Sequence, residues 1–278
     1  MRPAHYLAIA VSLGVIACLY FGGRTTPPVK PGAVPVATGG MVHAHISIDS
    51  LREASRAQLP VHARDSIAAI ERELEAVTDS VLMAPLMSRL AQIWQEHREL
   101  PLAAWYHAEA AKLENSEKKL NFAGQFFLQL MQHAGSHDMQ AWEAEQAIDC
   151  FQRALRINPD NDTIRLALAA GYIEGTGETM EGVQVLLGIT RKDPDHIPAN
   201  LMLGRLALQS GQLDKAVERY ETVLRQEPAN TEALYFLAET YKGKGDKEKA
   251  IALFEECKKI VNKPEFTRDI DQYINSFK

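Results

Sequence analysis

Residues 203–220 read LGRLALQSGQLDKAVERY, and residues 237–254 read LAETYKGKGDKEKAIALF. Residues 168–186, LAAGYIEGTGETMEGVQVL, follow the same plan with one residue more. Superposed, the three blocks fall into columns. Leu168, Leu203 and Leu237 share one, and Ala169, Gly204 and Ala238 the next. Gly182, Ala216 and Ala250 form another, followed by Leu186, Tyr220 and Phe254, and then by Ile189, Val223 and Cys257. The first column steps by 35 residues and then by 34. A chain that holds such a step over three blocks predicts an all-α solenoid, each helical unit burying its apolar side on the next. An ordinary amphipathic bundle has no reason to keep that register.

The columns have a packing logic. Leu203, Gly204 and Ala216 supply one large and two small side chains, so that two antiparallel helices approach closely while the leucine fills the gap beside them. Tyr220 is then placed to pack toward the next unit. Each block closes on a proline, Pro194, Pro228 or Pro264, which lacks an N–H and ends the second helix. Ser210-Gly211-Gln212 and Gly243-Lys244-Gly245 stand where the first helix must stop. Asp214 and Asp246 then lie in the first turn of the second.

This pattern resembles the tetratricopeptide repeat (TPR), with its large-small pair on helix A and its small, aromatic, small series on helix B. The resemblance implies a right-handed superhelix of helix hairpins with the A helices lining a concave wall, which binds protein or peptide partners. Five repeats are expected, over residues 84–116, 117–161, 162–196, 197–230 and 231–264. In the first, Leu90-Ala91 and Trp94 match helix A and Ala103 and Ala110 match helix B, with His107 where an aromatic is usual. In the second, Ala123-Gly124 and Phe127 precede Ala147, Phe151, Ala154 and Pro159. There, 23 residues separate Gly124 from Ala147, where the other repeats use 12 or 13. The extra residues are expected to extend helix A past Met131 and to make a longer turn before a helix B starting near Met139.

Helical phase, with the concave wall that the resemblance implies, places a partner-binding groove on the side of helix A away from its own helix B. The positions are Phe122, Gln125 and Leu128 in the second repeat and Leu166, Ala170 and Ile173 in the third. Leu201, Met202, Arg205 and Leu208 follow in the fourth, and Tyr235, Phe236, Glu239 and Lys242 in the fifth. This wall is apolar with polar anchors and suits an extended or helical peptide with apolar side chains. It differs from the carboxylate clamp of chaperone-binding TPR proteins, since Leu166, Leu201 or Tyr235 stands at the first clamp position. Leu166, Leu201 and Leu208 have a second reading, as packing between neighbouring A helices.

The flanks carry separate signals. Tyr6 to Phe21 is nearly all apolar and, with Gly22 and Gly23, reaches about the shortest length that spans a bilayer. Residues 1–23 read first as an uncleaved signal anchor, because no small-x-small cleavage site follows the apolar run. Two other readings stand beside it: a lipoprotein signal through Val15-Ile16-Ala17-Cys18, with Cys18 lipidated, and a cleaved signal peptide. All three place the bulk of the chain on the periplasmic or extracytoplasmic side of a bacterial membrane. Residues 24–45 hold four Pro and three Gly between Arg24 and Met41, the composition of a linker. Residues 46–83 are expected to form a short helix, a break at Pro60 and a longer helix, packed on the first repeat. Residues 265–278, with Phe266, Ile270, Tyr273, Ile274 and Phe277 on one face, are expected to cap the stack or to dock on a second copy.

Composition narrows function further. The chain has 278 residues, 46% hydrophobic and 24% charged, with a net charge of −6. A nucleic-acid footprint would be basic and clustered. No Gly-rich phosphate loop, nucleotide-binding strand-turn-helix or zinc-spaced Cys pair is present. Cys150 and Cys257 read as small buried apolar groups rather than a disulfide. His43 and His45 lack the further ligands of a metal site, and Gly135-Ser136 argues for a turn between His133 and His137, which with Asp138 would make half a site only on a continuous helix. No catalytic constellation, metal or other cofactor is expected. The sequence predicts a membrane-tethered scaffold for a protein or peptide partner. The narrower alternatives are a TPR chaperone of the cytochrome c maturation type and a self-assembling structural protein.

Overall fold

The computed structural model describes residues 46–277, and among them every regular element is helical. Two helices open the described chain, α1 (Ile48–Gln58) and α2 (Val61–Glu75). Three antiparallel pairs follow, from α3 (Ser80–Glu96) with α4 (Leu100–Leu113), through α5 (Glu117–Met131) with α6 (His137–Ile157), to α7 (Asp162–Ala170) with α8 (Thr179–Lys192). Two more pairs, α9 (Ile197–Gln209) with α10 (Leu213–Gln226) and α11 (Thr231–Gly243) with α12 (Lys247–Val261), precede α13 (Pro264–Phe277). The anchor expected over residues 1–23, the linker over 24–45, Cys18 and the His43/His45 pair lie outside the described residues. Among those described, no helix is long and apolar enough to cross a membrane.

Seven of the helices start on a side-chain cap. The side chains of Asp79, Ser116, Ser136, Asn161, His196, Asn230 and Asp246 accept hydrogen bonds from backbone N–H groups of the first turn. Such caps satisfy donors that no helix can pair internally, each contributing about 1 kcal/mol. The turns inside the fourth and fifth hairpins each need one left-handed residue, supplied by Gly211 (φ 72°) and Gly245 (φ 82°). In the first hairpin Arg98 takes the same conformation at φ 63°.

The core is a chain of small clusters. Leu90, Ala91, Trp94, Leu102, Ala103 and Tyr106 are fully or almost fully buried in the first hairpin. Tyr106 thus supplies, one residue early, the ring that His107 does not. In the second, Phe127 and Phe151 are fully buried, with the Phe127 and Trp142 rings edge to face at 5.8 Å. Helix contacts run mainly from each element to the next, and α9 also meets α11. Cys150 and Cys257 are buried free thiols, and burial pushes Cys150 up to about 12.

The insertion in the second repeat differs from expectation. Helix α5 ends at Met131, and the added residues lengthen helix B instead, so α6 runs for 21 residues. Ser136 caps it, with Asp138 in its first turn, and these local signals begin the helix early. The extra turn is not idle surface: Ala141, Trp142, Glu143 and Ala144 are all buried. It reaches the next repeat, where α7 loosens into a π-helical turn over Gly171–Thr176. A side chain on Gly175 would begin 2.2 Å from Ala144 Cβ and 2.7 Å from Met131 Sδ, so only glycine fits there. Gln140 and Gln152 donate to the Glu174 carbonyl and the Tyr172 hydroxyl at 3.1 and 2.8 Å, tying α6 to that turn.

At the amino-terminal end α1 does not form a hairpin with α2. It lies along α4, Ser55 donating to Glu99 at 2.7 Å and Arg52 to the Tyr106 hydroxyl at 3.4 Å. At the other end α13 packs on α12 and buries Ile270 and Ile274, and Tyr273 and Phe277 meet Phe254 at 5.6 and 6.2 Å.

Candidate functional site

The A-helix wall is built one repeat at a time. On α5, Phe122 is 57% exposed and touches His107 and Phe126, rings 5.6 and 6.2 Å away. Burial shifts His107 downward, favouring a neutral imidazole. Gln125 is half-buried, while Leu128 turns toward the next repeat, 3.8 Å from where a side chain on Gly171 would begin.

On the third repeat, Leu166 and Ala170 are half-buried, and Leu166 joins the cluster around Leu203. The π-helical turn gives Ile173 two faces. It packs against Gly182, whose added Cβ would lie 2.5 Å away, and it also lines a small cavity with Met202 and Arg205. On α9 and α11, Leu201, Leu208 and Phe236 are half-buried around Leu237 and Tyr220. These leucines therefore contribute to the seams between repeats as well as to the wall. Met202 and Arg205 remain accessible at the cavity.

Three of the four fifth-repeat positions, Tyr235, Glu239 and Lys242, lie under the capping helix. Tyr235 shares a cluster with Tyr273 and Phe277. Lys242 hydrogen-bonds the Tyr273 hydroxyl, lies 4.2 Å from that ring's centre and pairs with Glu239 at 3.6 Å. The structure thus separates an open stretch, from Phe122 to Phe236, from a covered end at Tyr235, Glu239 and Lys242.

Two groups outside the expected wall lie beside the open stretch. Glu232, in the first turn of α11, faces Arg205 at 4.0 Å. Tyr220, assigned from its column to packing, stacks on Phe236 with ring centres 6.0 Å apart. It also passes under Gly204, where an added Cβ would meet its ring at 2.7 Å. Its hydroxyl is buried without a hydrogen-bond partner. The available signal was the repeat register itself, which brings Arg205 near the start of the following helix A.

A family model described as "Tetratricopeptide repeat" matches residues 201–261. The match falls on the fourth and fifth hairpins. Two solved structures are similar to this chain in fold. MamA from Desulfovibrio magneticus RS-1 is 18% identical at a TM-score of 0.50, covering 64% of this chain and 95% of that one. PilW, described as a widely conserved type IV pilus biogenesis factor, is 17% identical at 0.50, covering 80% and 95%. The cellulose synthase 2 operon protein C of Komagataeibacter xylinus is 29% identical over 106 residues, 34% of this chain. The chain spans only 8% of that protein's length.

Nothing among the described residues points to catalysis. No group of three or more His, Cys, Asp or Glu side chains placed to hold a metal occurs among them. His133 follows the end of α5 and His137 opens α6, so the two do not share a helix.

Proposed function

We propose that this protein is a membrane-tethered adaptor that holds a protein or peptide segment along its A-helix wall, on the periplasmic side of a bacterial membrane. The observation that carries the wall reading is the open stretch from Phe122 through Met202 and Arg205 to Phe236. It is apolar, lies on successive A helices and is broken by a few polar anchors. Such a surface suits a segment read one side chain at a time. The tether rests on the apolar run at residues 6–23 and on the Pro- and Gly-rich stretch after it. Stacking of copies through the carboxyl-terminal end is the weaker reading. Helix α13 spends its apolar side on the stack, and Thr267, Arg268, Asp271, Gln272 and Asn275 line an opening on its polar side.

Site-specific photocrosslinking in the native membrane tests this. A benzoylphenylalanine at Phe122 or Met202 is expected to capture the same partner, and one at Gln184, exposed on α8, is not. Equal capture from all three positions would remove the wall from the reading. Capture of only a second copy would replace the adaptor with a self-assembling protein.

A further inference from the structure

The two amino-terminal helices, which precede the repeats, help to enclose a cleft. Asp49, Arg52, Glu53 and Arg56 stand at helical spacing along one face of α1 and line one side of it. Glu71, Leu74 and Glu75 do the same from α2. Because α1 lies along α4 instead of forming a hairpin with α2, these faces leave between them an opening of about 580 Å³, a volume typical of small-molecule sites. Arg56 and Glu71 pair across it. Met87 of α3 and Trp105 of α4 are half-buried in the lining, with Leu90 and Tyr106 buried behind them. None of the expected positions on the A-helix wall lines this cleft.

Charge and surface together decide what fits. Arg52 pairs with Asp49 and Arg56 with Glu71, so each guanidinium already faces a carboxylate. The carboxylates of Glu53 and Glu75 are exposed and have no partner among the described residues. One negative charge on each helix is therefore left over. An anion would meet both and would find each arginine engaged. A cation gains from both, and it also meets Trp105, since indole attracts ammonium groups more strongly than the other aromatic rings do. The Trp105 ring is held edge to face against Tyr106, with centres 4.8 Å apart. Leu74, between Glu71 and Glu75 on α2, and Met87 add apolar surface that suits a methylene chain. A single lysine side chain brings one ammonium group and would leave the second carboxylate unmatched.

We propose that the cleft between α1 and α2 binds a linear aliphatic diamine. One ammonium group meets Glu53, the other meets Glu75, and the methylene chain lies over Leu74, Met87 and Trp105. The site is separate from the A-helix wall and does not depend on the adaptor reading.

Titration calorimetry of the full-length protein at low ionic strength tests it, with diaminobutane, diaminohexane, butylamine and glutarate as probes. The better diamine is expected to bind about tenfold tighter than butylamine, which can meet only one carboxylate, and glutarate is expected not to bind. Glu53→Gln and Glu75→Gln are each expected to weaken diamine binding about fivefold, as is added salt. Trp105→Leu is expected to cost about as much. Both glutamates are exposed, so the Gln variants are expected to unfold at the parent's temperature and to report on binding alone. Glu178→Gln, at an exposed carboxylate outside the cleft, is expected to change nothing. Equal binding of butylamine, binding of glutarate, no binding of either diamine, or unchanged affinity in either cleft Gln variant overturns the assignment. So does tighter binding by an end-blocked Lys-Ala-Lys peptide, which would make the occupant the lysines of a partner.

Discussion

The second and fourth repeats keep one contact and differ in nearly everything around it. In the second, a side chain on Gly124 would begin 2.6 Å from the Phe151 ring, and in the fourth one on Gly204 would begin 2.7 Å from Tyr220. Both hairpins close by letting a ring slide under a glycine. The fourth returns through a tight turn at Gly211 into a helix of 14 residues. The second returns into one of 21, and its added turn runs past the hairpin into the neighbour. The neighbour yields through Gly175 and a π-helical turn, a device that often marks an inserted residue in a helix. A repeat protein can therefore absorb an insertion within a helix, provided the contact that defines the hairpin is untouched and the adjacent unit gives way.

The largest test of that comparison removes the shared contact. Phe151→Ala and Tyr220→Ala are each expected to cost about 3–5 kcal/mol in denaturant unfolding, the price of deleting a buried ring. Tyr220→Phe is expected to be neutral or slightly stabilising, because it removes only an unpartnered oxygen. A loss above about 1 kcal/mol would show that the hydroxyl is bonded in the folded chain.

Next come the glycines. Gly204→Ala and Gly175→Ala are each expected to cost about 1–3 kcal/mol by overpacking. Hydrogen exchange should separate them. The Gly175 variant should loosen α6 and the π-helical turn while α11 and α12 stay protected, since units in a solenoid are coupled mainly to their neighbours. Uniform loss of protection would mean that the insertion is integrated across the whole stack.

A pH effect is expected at the inserted turn. Burial pushes the Glu143 carboxyl from its ordinary value of 4.5 up to about 7. The folded chain then holds this proton over a range where the unfolded chain has released it. Stability is expected to fall as pH rises from about 4.5 through about 7, by an amount on the order of 1–3 kcal/mol. Glu143→Gln should flatten that dependence and stabilise the protein above pH 7. An unchanged pH profile would place the carboxylate in a wetter site. The smallest effect is expected at the cap, where Lys258→Ala breaks contacts with Glu255 and Asp271. Exposed acidic partners limit its cost to under about 1 kcal/mol.

Much of the hairpin packing was legible because repeats write the same requirement several times. Small residues at Gly204 and Ala216 and the ring at Tyr220 recur at one spacing, and chance does not keep that register. The inserted turn was harder to place. Ser136 and Asp138 signal a helix start, yet Gly135 and the histidines beside them read equally well as a loop. The aromatic of the first repeat was displaced by one residue, from His107 to Tyr106, so a fixed column missed it. Within the wall, phase placed Met202 and Arg205 on the A helix. It could not say that Tyr235, Glu239 and Lys242 would lie under α13, because a capping helix contacts them from outside the repeat.

By itself the sequence determined the helical solenoid and the hairpin contacts, since both follow from local periodicity repeated along the chain. Tertiary structure decided three things: which added residues became helix, how the third repeat bent to admit them, and which wall positions stay open. It also brought Arg205 to 4.0 Å from Glu232 of the following helix A. Each of these depends on the distance between units that are remote in sequence. Periodicity within a unit carries no information about that distance.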